Sequence, residues 1–470
     1  MANVELERAA VQQHLAPSSR MSDRDEIILI NTTNVDAFED VPPNGGYGWV
    51  CTFSSFMITV HTWGINSSWG VILNHFLSNS TFPNATHLDY ALIGGLSIST
   101  SLLLGPIVTK TYKTIGTTIT SFLGTGLIFG GLFAASYATE IWQLYLTQGV
   151  TFGFGLGFLY LTAMSVLPQW FSTRRSFSIG LAATGTGIGG LAYNLFAGRA
   201  IETLGFRETY RVLAYCTLVA NSVSALLLKD RKQRRHQGVQ RTFNYRDLGQ
   251  VEILLLVLWG TATEFGYITL WYSLPNYASS IGLSPQQGSV AGAILNLGLV
   301  IGRPIVGYFS DSFGRITIPM TMTALCGLLC FAFWIPANSY ALLILFSLLV
   351  GTVCGTFWGS IIPVMAEVVG LTRLPSTFAL ICLTLVIPTI FAEPIALSLV
   401  GHSGYLSTQV YVAFMFIIGA LSLWILRSWK FYEIEKKASR EQSSDRVSTT
   451  FPSYFAWIRP RKLFLHSGRV

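Results

Sequence analysis

Stretches of about twenty apolar residues recur along this chain between short polar turns, and a helix of that length is what crosses a bilayer. Twelve can be set out, at roughly 49–71, 89–109, 115–137, 141–165, 176–198, 209–228, 250–273, 287–309, 316–336, 340–365, 376–398 and 408–427. The pattern predicts an all-α integral membrane protein with twelve transmembrane helices. Glycines and aromatics are frequent in the spans and heptad order is weak. Gly-Phe-Gly-Leu-Gly at 153–157 and Gly-Thr-Gly-Ile-Gly-Gly at 185–190 read as faces on which helices approach closely. Neither run follows a strand or precedes Lys-Ser/Thr, so a nucleotide loop is not expected.

The chain also repeats itself. Residues 105–117, GPIVTKTYKTIGT, are answered by 302–315, GRPIVGYFSDSFGR, with Pro106-Ile107-Val108 matching Pro304-Ile305-Val306 and Gly116 matching Gly314 at one constant offset. The matches fall at the ends of the second and eighth spans, which predicts two six-helix repeats related by an axis along the membrane normal. The expected segments are a polar tail at 1–47, a first bundle at 48–228, a basic linker at 229–249, a second bundle at 250–427 and a basic tail at 428–470.

Composition agrees: 51% of the 470 residues are hydrophobic and 11% charged, against about 25% charged in soluble proteins. Lys and Arg gather in the linker, the tails and alternate short loops, whereas the opposite loops and adjoining span ends hold Arg199, Arg207 and Arg211. That asymmetry predicts both termini in the cytoplasm, in a plasma or vacuolar membrane alike. The net charge of +7 then meets anionic lipid headgroups; nucleic acid is not expected, since no folded basic domain presents it. The six cysteines fall in or at the ends of spans and read as buried thiols. No signal peptide precedes the first span, which would direct insertion. Asn79 and Asn84 sit in sequons on the first outer loop and are the glycosylation candidates.

Gly307-Tyr-Phe-Ser-Asp311-Ser-Phe-Gly314-Arg315 resembles the inner-loop motif of the major facilitator superfamily, G-x-x-x-D-x-x-G-R. The resemblance implies that superfamily's fold, with a carboxylate and an arginine latching the cytoplasmic gate. In the first copy Lys113 and Thr117 replace Asp311 and Arg315, so that latch is absent or rebuilt. Asn44-Gly-Gly-Tyr-Gly-Trp-Val50, Tyr145-Leu-Thr-Gln-Gly149, Phe171-Ser-Thr-Arg-Arg175 and Arg303-Pro304 resemble the monocarboxylate transporter family, and the overall wording resembles its fungal permease homologues. This implies a secondary transporter working by alternating access. Two departures stand against lactate–proton symport: Leu299 occupies the place of the family's aspartate four residues before the arginine, and Ser67 that of its lysine in the first span.

Four residues able to carry charge lie well inside spans, where each is costly without a partner or water: His61, Glu264, Arg303 and Glu393. Arg303 suits a carboxylate because a guanidinium stays charged and offers two parallel donors; in the resembling family the arginine here is implicated in binding the substrate carboxylate. The alternative is permanent neutralisation by Glu264 or Glu393, or reach to water at the inner face. Glu264, His61 and Glu393 are the proton-coupling candidates, with Glu264 able to replace the missing carboxylate. For His61 the competing reading is a neutral histidine bonded to a neighbouring helix, and for Glu393, before Pro394, local satisfaction of a bent helix.

Trp63, Trp271 and Trp358, with Trp69, Tyr193, Phe265, Tyr267, Tyr272 and Phe357, lie in spans that line the central cavity of this superfamily. They suit a planar or larger solute, with Arg303, Glu264 and Ser67 as polar contacts; the alternative is packing or lipid contact. The substrates of the resembling family run from short monocarboxylates through aromatic amino acids to riboflavin. The expected partners are thus a small organic solute, a proton if transport is coupled, and lipid; no ancillary subunit is legible. No cofactor, metal-spaced cluster or catalytic set is expected, so an enzyme is not. The competing class is a transporter-like nutrient receptor signalling through the tail 428–470.

Overall fold

A computed structural model describes residues 42–78, 81–82, 85–231 and 248–442. Asn79, Asn84, most of the linker and of both tails lie outside them. The described helices belong to one compact unit that begins at Pro43.

Twelve helical spans follow one another. In the first half, α1 covers 47–78 in three pieces, α2 covers 87–115 in two, α3 is Thr117–Ala135, α4 is Ile141–Trp170, α5 covers 175–204 in two pieces and α6 is Phe206–Leu227. In the second, α7 is Val251–Ser280, α8 is Pro285–Phe313, α9 is Thr317–Trp334 and α10 runs from Tyr340 to a positive-φ turn at Gly370. A second such turn at Gly404 separates α11 from α12. Gly116 and Gly205 have the same backbone, φ 86° and 79°, and turn the chain between α2 and α3 and between α5 and α6. Only glycine adopts it without strain.

Among the described residues eight helices are long and apolar enough to cross a membrane singly, or nine if the pair bent by 47° in α2 counts as one span. The run from Tyr340 to Gly401 is counted once there although it turns at Gly370. The two spans left out, α1 and α5, are broken mid-way. Their breaks have local causes. Thr62 Oγ1 donates to the Ile58 carbonyl at 2.6 Å, Ser68 Oγ to Ile65 at 2.7 Å and Thr184 Oγ1 to Leu181 at 2.6 Å. Such hydroxyls compete with backbone amides and bend helices. α2 bends where Gly105-Pro106 begins its second piece, since proline has no N–H to give.

The halves meet along α5 with α8 and α2 with α11. Gly180 lies on the Arg303 carbonyl, Gly307 on the Ser176 carbonyl and Gly105 on Ala379, and Ser99 and Thr389 hydroxyls bond across at 3.0 Å. Five cysteines are buried as expected; Cys216 is exposed instead, on a face of α6 turned away from the bundle.

Within the second half Gly298 and Gly351 touch where α8 crosses α10, and a Cβ on Gly351 would come within 3.0 Å of the Gly298 Cα. Overpacking there costs about 1–3 kcal/mol. Gly351→Leu is therefore expected to lower the thermal midpoint of the purified protein clearly, whereas Gly126→Leu, with nothing within 4 Å, is not.

Candidate solute cavity

The two halves enclose a cavity of about 650 Å³. Its floor is Arg303, Ala183, Glu264, Tyr160 and Trp358, and it extends along α1, α7 and α8 to Leu73, Ser279 and Ser289. Those last residues lie toward the end away from the linker 229–249.

Arg303 is 5% exposed. Its position follows from the break in α5. Gly187 and Ile188 both direct their amides to the Thr184 carbonyl, at 3.0 and 3.1 Å, so the Ala183 carbonyl has no donor four residues on. Arg303 Nη1 supplies one. Its Nε has no hydrogen-bond partner, and no described carboxylate lies within 4.0 Å of the guanidinium. Gly355, at the break in α10, leaves room for it: a Cβ there would lie 3.0 Å from Nε.

Glu264 is 2% exposed; Trp358 donates to it while its Oε1 has no partner. Around the pair stands an aromatic wall drawn from both halves. Trp63 of α1 meets Tyr160 of α4 edge-on at 5.5 Å and Trp358 of α10 at 6.2 Å, and Tyr267 and Trp271 of α7 form a second edge-on pair at 5.4 Å. Ser67 also faces the cavity, its hydroxyl donating to Gly64 at 2.8 Å.

Arg303, Glu264, Ser67, Trp63, Trp271 and Trp358 are thus brought to one wall. Leu299 is not on it; it is buried against Gly355. Tyr193 and Phe357 also fall elsewhere, Phe357 edge-on to Trp259 at 4.9 Å. Nor does His61 line the cavity: half-buried at the α1 break, it bonds the Tyr193 hydroxyl of α5. The Glu393 side chain lies outside the described ones. Tyr160, Asn66 and Thr186 line the cavity without having stood out. Tyr160 is one of several aromatic residues of α4, among them Phe152, Phe154 and Phe158, so nothing in the sequence set it apart.

At the linker end the motif 307–315 joins the halves. Asp311 accepts from the Ser176 and Phe177 amides at 3.1 and 2.9 Å, in the first turn of the helix Arg175–Ala183, whose own N-cap residue contributes no side-chain bond. A carboxylate there satisfies orphan amides and meets the positive end of the helix dipole. Arg315 holds Asp311 and Glu367 at 3.2 Å each and donates to the Ser172 carbonyl. Gly307 allows the close approach of α5, and Gly314 makes the turn after α8 at φ 125°. In the first copy the contacts are rebuilt within one half: Thr117 and Gln169 both bond Asp230, Gln169 at 3.3 Å.

The sequence model of the Major Facilitator Superfamily matches residues 49–263 and 254–467. The chain belongs to this superfamily. It is 33% identical over 420 residues to "Probable transporter MCH2" of Saccharomyces cerevisiae, covering 86% of this chain and 87% of that one. To "Uncharacterized transporter ESBP6" of the same yeast it is 32% identical over 86% of this chain, spanning 62% of that protein's length. The "Fujikurins efflux protein" of Gibberella fujikuroi is 24% identical over 82% of this chain and 83% of its own. Among solved structures, the proton:xylose symporter XylE superposes with a TM-score of 0.63 at 14% identity, over 81% of this chain and 96% of that one, which shows the shared fold. This superfamily member is a multi-pass membrane transporter and not an enzyme, and its relatives lend the receptor reading no support.

The cavity extends to one end and the bonded motif closes the other, so the two ends differ in access. A cysteine placed at Asn276, exposed on the cavity wall, is expected to react readily with an impermeant maleimide. One at Thr162, 1% exposed in the linker-side half of α4 beside Gly105, Tyr112 and Ala379, should react at least an order of magnitude more slowly, and faster once Arg315→Ala is added.

Proposed function

We propose that this protein carries a small organic solute with a carboxylate and a planar or aromatic body through the cavity by alternating access. The observation that carries the reading is Arg303: a buried guanidinium on the cavity wall, with one donor spent on a backbone carbonyl and Nε without a partner. Charge-assisted bonds to a carboxylate would complete it. The aromatic wall offers such a solute stacking surface from both halves, so that its binding spans the seam across which they move. The opening and span-eight motifs favour the monocarboxylate transporter family, with a substrate class shifted toward aromatic acids, or riboflavin-like solutes that would meet Arg303 through carbonyl oxygens.

Glu264 is the proton-exchanging group in this reading. Leu299 buried in packing and Ser67 neutral leave the lactate-type arrangement without its aspartate and lysine. The 307–315 motif is the gate latch, and its bonded state leaves the cavity facing outward. With the basic linker and both termini cytosolic, the same arrangement serves a plasma or a vacuolar membrane.

The test is thermal stability of purified protein against lactate, aromatic monocarboxylates and flavins, with Arg303→Gln alongside. A ligand at a hundredfold excess over Kd should stabilise by about 2.7 kcal/mol. An aromatic acid is expected to do so for the wild type, and Arg303→Gln to lose about 1.5–3 kcal/mol of binding, roughly ten- to a hundredfold. An equal shift in both proteins would return Arg303 to a structural role. Glu264→Gln is expected to keep the shift but lose acceleration of uptake by a proton gradient; unchanged acceleration would move coupling elsewhere.

A further inference from the structure

The segment Asn44-Gly-Gly-Tyr-Gly-Trp49 does not reach the cavity. It lies against the loop that receives the latch. Trp49 packs edge-on against Phe171 at 4.9 Å and Phe177 at 6.1 Å, and Tyr47 meets Trp170 at 5.7 Å. Gly48 permits this, since a Cβ there would lie 2.9 Å from Trp170 Cβ.

Asn44 makes the polar part of the contact. Its backbone amide donates to the Trp170 carbonyl at 3.0 Å, and its side-chain Oδ1 accepts from the Ser172 and Thr173 amides at 2.7 and 2.8 Å. Its Nδ2 lies 2.9 Å from Ser172 Oγ. Asn44 itself holds φ 57°, a left-handed conformation that asparagine tolerates better than most residues.

One peptide group connects this anchor to the gate. The carbonyl of Ser172, which accepts from Arg315 of the other half, and the amide of Thr173, which donates to Asn44 Oδ1, belong to the same planar unit. Holding the N–H fixes where the C=O points, and hydrogen bonds on both ends of one amide polarise each other.

From this we infer that Asn44 is a positioning residue of the gate: it acts through the Ser172–Thr173 peptide on Arg315, holding α5 in the form that the latch of the second half recognises. The inference rests on the latch role proposed for Asp311 and Arg315. It gives the opening motif of α1 a part in the transport cycle, although the motif lies away from the cavity.

The test measures distances between spin labels at Ile115→Cys and Leu371→Cys, exposed positions at the linker end of opposite halves, in full-length reconstituted protein carrying Cys216→Ser. Asn44→Gly removes the side chain without backbone strain, because glycine accepts the left-handed conformation. It should populate the longer, open-gate distance several-fold more than the wild type, up to the extent reached by Arg315→Ala, which also frees Asp311 and Glu367. The combined Asn44→Gly/Arg315→Ala protein should go no further, as two changes acting through one contact are not additive. Asn44→Asp, whose carboxylate still accepts from both amides, should keep the wild-type distribution. Wild-type distances in Asn44→Gly alongside opening in Arg315→Ala, full additivity of the two, or loss of folded protein in Asn44→Gly would overturn the inference and assign the side chain to packing. Unchanged distances in Arg315→Ala would instead overturn the latch itself.

Discussion

A backbone carbonyl without a donor is costly in lipid, and a helix broken inside the membrane must find partners from elsewhere. That constraint organises the centre of this transporter. At the α5 break the amides of Gly187 and Ile188 turn to Thr184, and Arg303 of the other half completes Ala183. The guanidinium, which the same lipid-like interior would reject if it had no acceptor, is held by the defect it repairs. The seam between halves, the break in α5 and the floor of the cavity are therefore one feature.

The other broken helices serve the same cavity. α1 breaks on either side of Trp63 and Ser67, and the α10 break at Gly355 precedes Trp358. Each break lets side chains leave a regular helical face and converge. Hydroxyls bonded back to carbonyls three or four residues earlier cause these bends locally, so the bend points are also the ones that shape the wall.

Duplication supplied two linker-end motifs, and divergence separated their tasks. Asp311 and Arg315 reach across to α5. At the equivalent positions Lys113 and Thr117 do not reproduce the carboxylate–arginine pair, and Thr117 with Gln169 binds Asp230 of the same half. Gln169 and Glu367 are related by the offset that relates the two motifs, so the amide of one copy and the carboxylate of the other serve a local clasp and an ion pair respectively. The first half presents the receiving surface on α5, and the second supplies the carboxylate and arginine that bond to it.

The sequence by itself determined the membrane class, the twelve spans and their duplication, because lipid demands long apolar runs and a repeat leaves its text behind. It also exposed Arg303, Glu264 and the tryptophans, since charge and large rings stand out against aliphatic spans, though not which of them share a wall. Only the tertiary structure decided that: Trp63 and Trp358 sit in different halves yet meet at 6.2 Å, while His61, equally conspicuous in the text, turns to Tyr193 outside the cavity. Tyr160 and the contact of Asn44 with Ser172, 128 residues away, were hidden for the same physical reason. A backbone carbonyl freed by a bend, or a peptide plane fixed from behind, is a property of packed helices and has no residue type to announce it.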